Sequence, residues 1–134
     1  MYKGIIKRTG EVIAVKKVFK DPKYKNREVE IVNMLKGDFV MKVLGCYNTF
    51  EDNSQFLNIA MSYYDGDLFN YVKQYGKKGL SIMDIKLFSY QVFRGMLLIH
   101  QLKIAHRDMK PHNILYKGKK AVICDFGSAK IFDK

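Results

Sequence analysis

The chain opens on strand-like patterning. Ile5-Ile6, the turn Arg8-Thr9-Gly10-Glu11 and a β-branched run over 12–19 predict a hairpin. Asp21-Pro22 offers an N-cap followed by proline at a first helical position. Val29, Val32 and Leu35 then recur at helical spacing until Gly37, which predicts a helix of about three turns. Two further strands are expected over 40–50 and 56–63, joined by the polar stretch 51–55. After Tyr64-Asp65-Gly66 the period lengthens: 67–75 reads as a short helix, and Ser81 with Asp84 opens a long one in capping-box style. Short strands return over 114–116 and 121–124. Strands, then helices, then short strands give an α+β class.

The long helix is unusual. Between Leu80 and Leu102 apolar residues point in every direction, while Asp84, Lys86, Ser89, Gln91, Arg94, His100 and Gln101 scatter without forming a polar face. Such a helix belongs inside a protein. Only 32 residues follow Leu102, too few to cover it, so a protein partner over the helix and poor solubility of the chain alone are expected.

Composition narrows the classes. A chain of 134 residues, 48% hydrophobic and 28% charged, suits one globular domain. No apolar run approaches a membrane span and residues 1–11 hold no signal-peptide core, so an intracellular protein, cytoplasmic or nuclear, is expected. Cys46 and Cys124 are too few for a disulfide scaffold, and both are expected to be reduced and packed. Lysine and arginine outnumber aspartate and glutamate 24 to 13, but the positive residues are scattered, without aromatic interleaving. Nucleic acid binding is therefore a minor alternative.

The chemistry concentrates between residues 106 and 127. His106-Arg107-Asp108-Met109-Lys110-Pro111-His112-Asn113 fits H-R-D-x-x-x-x-N, and Asp125-Phe126-Gly127 follows twelve residues after Asn113. Phosphoryl transfer from a nucleotide is mostly positioning and charge neutralisation. It needs a carboxylate to accept the attacking hydroxyl's proton, here Asp108, and oxygen ligands for Mg2+, here Asn113 and Asp125.

With these motifs the chain resembles the eukaryotic protein kinase family. Val12-Ile13-Ala14-Val15-Lys16 is similar to the family's V-A-I-K strand, and Glu28 stands where its ion-pair partner stands. Taken singly, Lys16 would read as a surface lysine; the downstream motifs favour a buried, paired one. The resemblance is closest to the glycogen synthase kinase, or shaggy-like, branch. It is carried by Tyr24-Lys25-Asn26-Arg27-Glu28-Val29, by Lys86-Leu87-Phe88-Ser89-Tyr90-Gln91-Val92-Phe93-Arg94 and by Ile123-Cys124-Asp125-Phe126-Gly127-Ser128-Ala129-Lys130. It implies serine/threonine phosphorylation with ATP and Mg2+, and protein substrates that are already phosphorylated nearby, docked on Arg27, Arg107 and Lys130. It also implies an adenine pocket with Met61 at its back, Ser62-Tyr63-Tyr64 as the hinge, and Ala14 and Leu115 as apolar walls. Asp67 reads equally as a ribose contact and as an N-cap. Lys110 resembles the lysine that contacts the transferred phosphate in serine/threonine kinases, and Cys124 reads as packing.

The pattern also departs from the family. No G-x-G occurs anywhere, and no A-P-E follows Asp125-Phe126-Gly127. The expected architecture is therefore an incomplete bilobal kinase domain. Residues 1–64 form a small lobe without its first strand and glycine-rich loop, and 65–134 form the start of the large lobe. Two functions are compatible with this: a serine/threonine kinase centre, weak or inactive in these 134 residues, and a kinase-like binding or regulatory module that no longer turns over.

Overall fold

The computed structural model describes residues 1–23 and 27–132. Its first half is a four-stranded antiparallel sheet in the order β1-β2-β4-β3, made of β1 (Tyr2–Ile5), β2 (Val12–Phe19), β3 (Val43–Glu51) and β4 (Ser54–Ser62). The β1–β2 turn closes through Gly10, at φ 72°, whose N–H donates to the Ile6 carbonyl at 2.8 Å. β3 and β4 meet through a two-residue turn in which Asp52 and Asn53 both take positive φ, residue types that tolerate it. The polar stretch expected over 51–55 is thus mostly strand.

One helix, α1 (Glu28–Met34), packs on this sheet and buries Ile31 and Val32. It spans two turns rather than three, and Asp21-Pro22 does not start it. The Asp21 carboxylate instead accepts the Lys23 N–H at 2.8 Å and closes a local turn, while Arg27 precedes the helix without a side-chain cap. Residues 24–26, part of the segment that carries the branch resemblance, lie outside the described residues. The third strand also starts later than its composition suggests, at Val43. Residues 39–41 bond to the other half of the molecule instead: the Met41 N–H donates to the Ile123 carbonyl and the Ile123 N–H to the Phe39 carbonyl, at 2.9 and 3.0 Å.

The second half contains β5 (Gly66–Asp67), α2 (Leu68–Lys73), the long α3 (Ile82–Gln101), β6 (Ile104–Ala105), β7 (Ile114–Lys117), β8 (Lys120–Ile123) and β9 (Lys130–Ile131). β5, β7 and β8 form one small sheet, β6 and β9 another. One apolar core runs through both halves, joining Ile31, Ile59 and Met61 to Ile99, Ile123 and Phe126, and a second, smaller cluster in the second half gathers Tyr71, Phe88, Ile114 and Ala121.

Only one stripe of α3 is inside: Phe88, Gln91, Gly95 and Ile99. Met83, Tyr90, Phe93 and Leu97 are exposed, at 70%, 58%, 73% and 50%, which is the uncovered apolar side that the all-round apolar pattern led us to expect. The inner stripe seats on β8 through Gln91, whose amide donates to the Lys119 carbonyl at 2.8 Å and accepts the Ala121 N–H at 2.7 Å. Cys46 is a further correction: it sits exposed on the edge strand β3, whereas Cys124 is buried. Among the described residues no helix is long and apolar enough to cross a membrane.

Candidate active site

The site is built from two carboxylates held in different ways. The first is Asp125, just beyond β8. The middle of β2 delivers Lys16, whose ammonium lies 2.6 Å from Glu28 Oε1 on α1 and 3.0 Å from Asp125 Oδ1. Glu28 is almost fully buried, and Asp125 is partly open to solvent. Burial alone would lower the Lys16 pKa, but the hydrogen bonds and charges of Glu28 and Asp125 outweigh it and raise the pKa above the usual lysine value. Burial likewise pushes Asp125 upward, yet the hydrogen bond and charge of Lys16 and the Gly127 N–H hold its carboxyl below the usual carboxylate value. A Cβ at Gly127 would lie 3.3 Å from Asp125 Oδ1, a tight contact, and 3.7 Å from the Lys16 ammonium, an ordinary one.

The second carboxylate, Asp108, is held by its own loop. Asn113 Nδ2 donates to the Asp108 carbonyl at 2.8 Å and to its Oδ2 at 3.0 Å, and the Lys110 ammonium lies 3.2 Å from the same Oδ2. Pro111–Asn113 forms a 3-10 turn that places Asn113 for this, and proline at its start suits the fixed φ.

His106, to which sequence reading assigned no role, ties the two centres together. Its Nδ1 accepts the Asp108 N–H at 3.2 Å, which leaves Nε2 to carry the proton and donate it to the Cys124 carbonyl at 2.8 Å, next to Asp125. The ring is buried and meets Phe126 edge-on at 5.0 Å. A histidine two places before an aspartate was the available signal, but only the fold reveals that Cys124 lies beneath it. Arg107 and Asp125 both adopt left-handed backbone, φ 67° and 59°. For Arg107 this is costly, and its Nε donates to the Ser128 carbonyl at 2.6 Å, which holds the loop in place. The Cys124 thiol is pushed up to about 12 by burial and by the adjacent Asp125 charge, which agrees with a packing role.

The remaining candidates fall into two groups. Ala14 lies opposite Met61 across β2 and β4, and Leu115 packs against the same core, so the three expected adenine-pocket side chains share one apolar cluster. Ser62 and Tyr64 lie on the connection between the halves; the Ser62 N–H is engaged by the Lys42 carbonyl at 3.2 Å. Asp67 caps α2, accepting the Asn70 N–H at 2.8 Å and its side-chain amide at 3.2 Å. Arg27, Arg107 and Lys130 line one cavity of about 440 Å3 beside Lys16 and Gly127, with Asp21 and Glu28 also on its wall.

Among the described residues no three His, Cys, Asp or Glu side chains gather as a self-sufficient metal site. The donors present nonetheless fit a hard cation. Asn113 spends its Nδ2 on Asp108, which leaves Oδ1 as an oxygen donor, and Asp125 engages Lys16 and Gly127 through Oδ1, which leaves Oδ2 open. One amide oxygen and one carboxylate suit Mg2+, which completes its shell with phosphate oxygens and water.

A comparison with protein families agrees with this geometry. The family model described as protein kinase domain matches residues 1–134. The chain belongs to the protein kinase family, and its α+β fold is protein-kinase-like.

Proposed function

From that membership we propose that the chain carries the centre of a serine/threonine protein kinase of the glycogen synthase kinase-like branch, acting inside the cell on protein hydroxyls, with a preference for substrates already phosphorylated nearby. The observation that carries this reading is the pairing of the Lys16–Glu28–Asp125 cluster with the Asp108–Asn113 loop through His106.

In this reading Lys16 holds a nucleotide phosphate while Glu28 keeps its ammonium charged and aimed. Asp108 accepts the proton of the attacking hydroxyl, and its hydrogen bond from Asn113 fixes the carboxylate for that task. Lys110, beside Asp108, neutralises the phosphoryl group in transit and favours serine or threonine over tyrosine. Asn113 and Asp125 hold Mg2+, which supplies charge neutralisation at the ATP phosphates. Ala14, Met61 and Leu115 enclose the adenine, the backbone of Ser62 and Tyr64 meets its edge, and Asp67 borders the ribose. Arg27, Arg107 and Lys130 receive the priming phosphate, for which charge-assisted bonds are worth about 1.5–3 kcal/mol each.

With no G-x-G in its 134 residues to fold over the phosphates, the chain alone is expected to turn over slowly. The exposed apolar side of α3 favours a second reading, a regulatory module covered by another protein through that helix. Phosphate incorporation from Mg-ATP into a serine peptide, with and without a nearby phosphoserine, separates the two. Transfer that is stimulated by priming and abolished by Asp108→Asn supports the kinase reading and its branch. Transfer without a priming effect removes the branch, and nucleotide binding without transfer supports the module.

A further inference from the structure

A cavity of about 690 Å3 lies away from the carboxylate centres and does not contain Lys16, Asp108, Asn113 or Asp125. Its walls come from the end of α1, the segment 36–43, the connection 62–64 and the β7–β8 hairpin. The apolar part of its wall, its floor, is made by the half-buried Val43 and by Val32, Leu35 and Val122, which are themselves buried, and Asn33 and Ser62 add polar groups. The rim is basic: Lys36, Lys42, Lys117 and Lys120 stand around it, opposed by Asp38 alone. All four lysines are exposed, and none has an ion-pair partner among the described residues.

We propose that this cavity is a docking site for an acidic segment of a partner protein, an extended peptide that sets an apolar side chain on the floor while its carboxylates meet the lysine rim. The two halves of the site select this partner together. A rim of unpaired cations attracts any polyanion, but a concave apolar floor rewards only a ligand that carries an apolar anchor between its charges. A nucleic-acid backbone offers phosphates without such an anchor, and a membrane surface is too flat to enter. The cavity shares no residue with the carboxylate centres; Ser62 and Tyr64, on its wall, are what it has in common with the proposed nucleotide site.

The test uses the full chain and a fluorescein-labelled peptide, Asp-Glu-Leu-Glu-Asp-Leu-Asp-Glu, followed by anisotropy at about 0.15 M salt, where weak surface attraction is largely screened. Saturable binding is expected, weakened about tenfold or more by Lys36→Glu with Lys120→Glu. Lys77→Glu with Lys78→Glu, an equal charge change at exposed positions that do not line this cavity, should leave it unchanged. Replacing the leucines by serine should abolish binding. In the unaltered chain, a photocrosslinker at one leucine should label residues within 33–43 or 117–122. No binding, equal weakening by both lysine pairs, indifference to the leucines, displacement by a random oligonucleotide, or crosslinks at Arg107 or Lys130 would each overturn the proposal.

Discussion

The two carboxylates of the site are assembled on opposite principles. Asp108 is fixed within its own loop, by Asn113 five residues on and Lys110 two residues on. Asp125 is fixed by Lys16, 109 positions away, and through it by Glu28 on a helix. The first arrangement survives as long as one loop keeps its shape. The second exists only while β2, α1 and the end of β8 are packed together, so it reports the state of the whole fold. Chemistry and stability should therefore separate on mutation.

Asp108→Asn makes the sharpest cut. Asparagine keeps an oxygen for the Asn113 amide but cannot take a proton, so phosphotransfer should fall by about 10²–10⁴-fold, while urea unfolding shifts by less than about 1 kcal/mol. A large loss of stability would show that the loop is not self-sufficient. Glu28→Gln should do the reverse. It leaves the Lys16 ammonium with only Asp125 at short range and takes a buried, charge-assisted bond from α1, at a cost of about 1.5–3 kcal/mol in urea denaturation. Unchanged stability in that variant would mean that α1 is held by its apolar face alone.

Gly95→Ala probes the support beneath Asp125. A Cβ at residue 95 would come within 2.6 Å of the Phe39 carbonyl oxygen and 2.9 Å of Ile123 Cδ1. Ile123 is bonded to residues 39–41 and lies two positions before Asp125, so the helix seats directly under the strand that carries the carboxylate. Alanine ordinarily favours a helix over glycine by about 1 kcal/mol. Here the backbone oxygen cannot move aside cheaply, and a net loss of about 1–3 kcal/mol in calorimetry or urea unfolding is expected. A gain in stability would show that α3 can lift off β8 without penalty.

What the sequence disclosed follows the same division. The sheet, the α+β order, and the Asp108–Asn113 loop were legible because their signals are local: turn residues, strand runs and a fixed spacing. The role of Gln91 was not, because a polar residue in an apolar stripe reads as scatter until the backbone groups of Lys119 and Ala121 stand opposite it. The start of α1 was misread because Asp21 spends its carboxylate on its own turn, an equally local alternative to capping. That α3 would keep an uncovered apolar side was legible; which residues form it was not. Apolar patterning all round the axis does not say which stripe meets β8, and that stripe turns out to be Phe88, Gln91, Gly95 and Ile99.

The smallest expected effect is electrostatic, and it distinguishes the two carboxylates without altering the loop around Asp108. The Asp125 carboxyl is held below its ordinary value, so its contact with Lys16 contributes stability that is fully present above the unfolded carboxylate range, near about 3.9, and is lost as pH falls through the lower folded value. Lys16 is shifted upward, so its share persists up to the ordinary lysine range and disappears only at higher pH, as its own folded value is passed. Between about pH 5 and pH 9 the pair should add no slope to stability. Below pH 4 the parent should lose slightly more stability than Asp125→Asn, in which this group no longer titrates. Because the Asp125 side chain is 44% exposed, solvent screens the contact and the difference should stay below about 1 kcal/mol in urea unfolding compared at pH 6 and pH 3. Parallel acid limbs in parent and variant would mean that the Lys16–Asp125 contact is already broken in the folded protein in solution, leaving Glu28 as the partner that keeps the lysine charged.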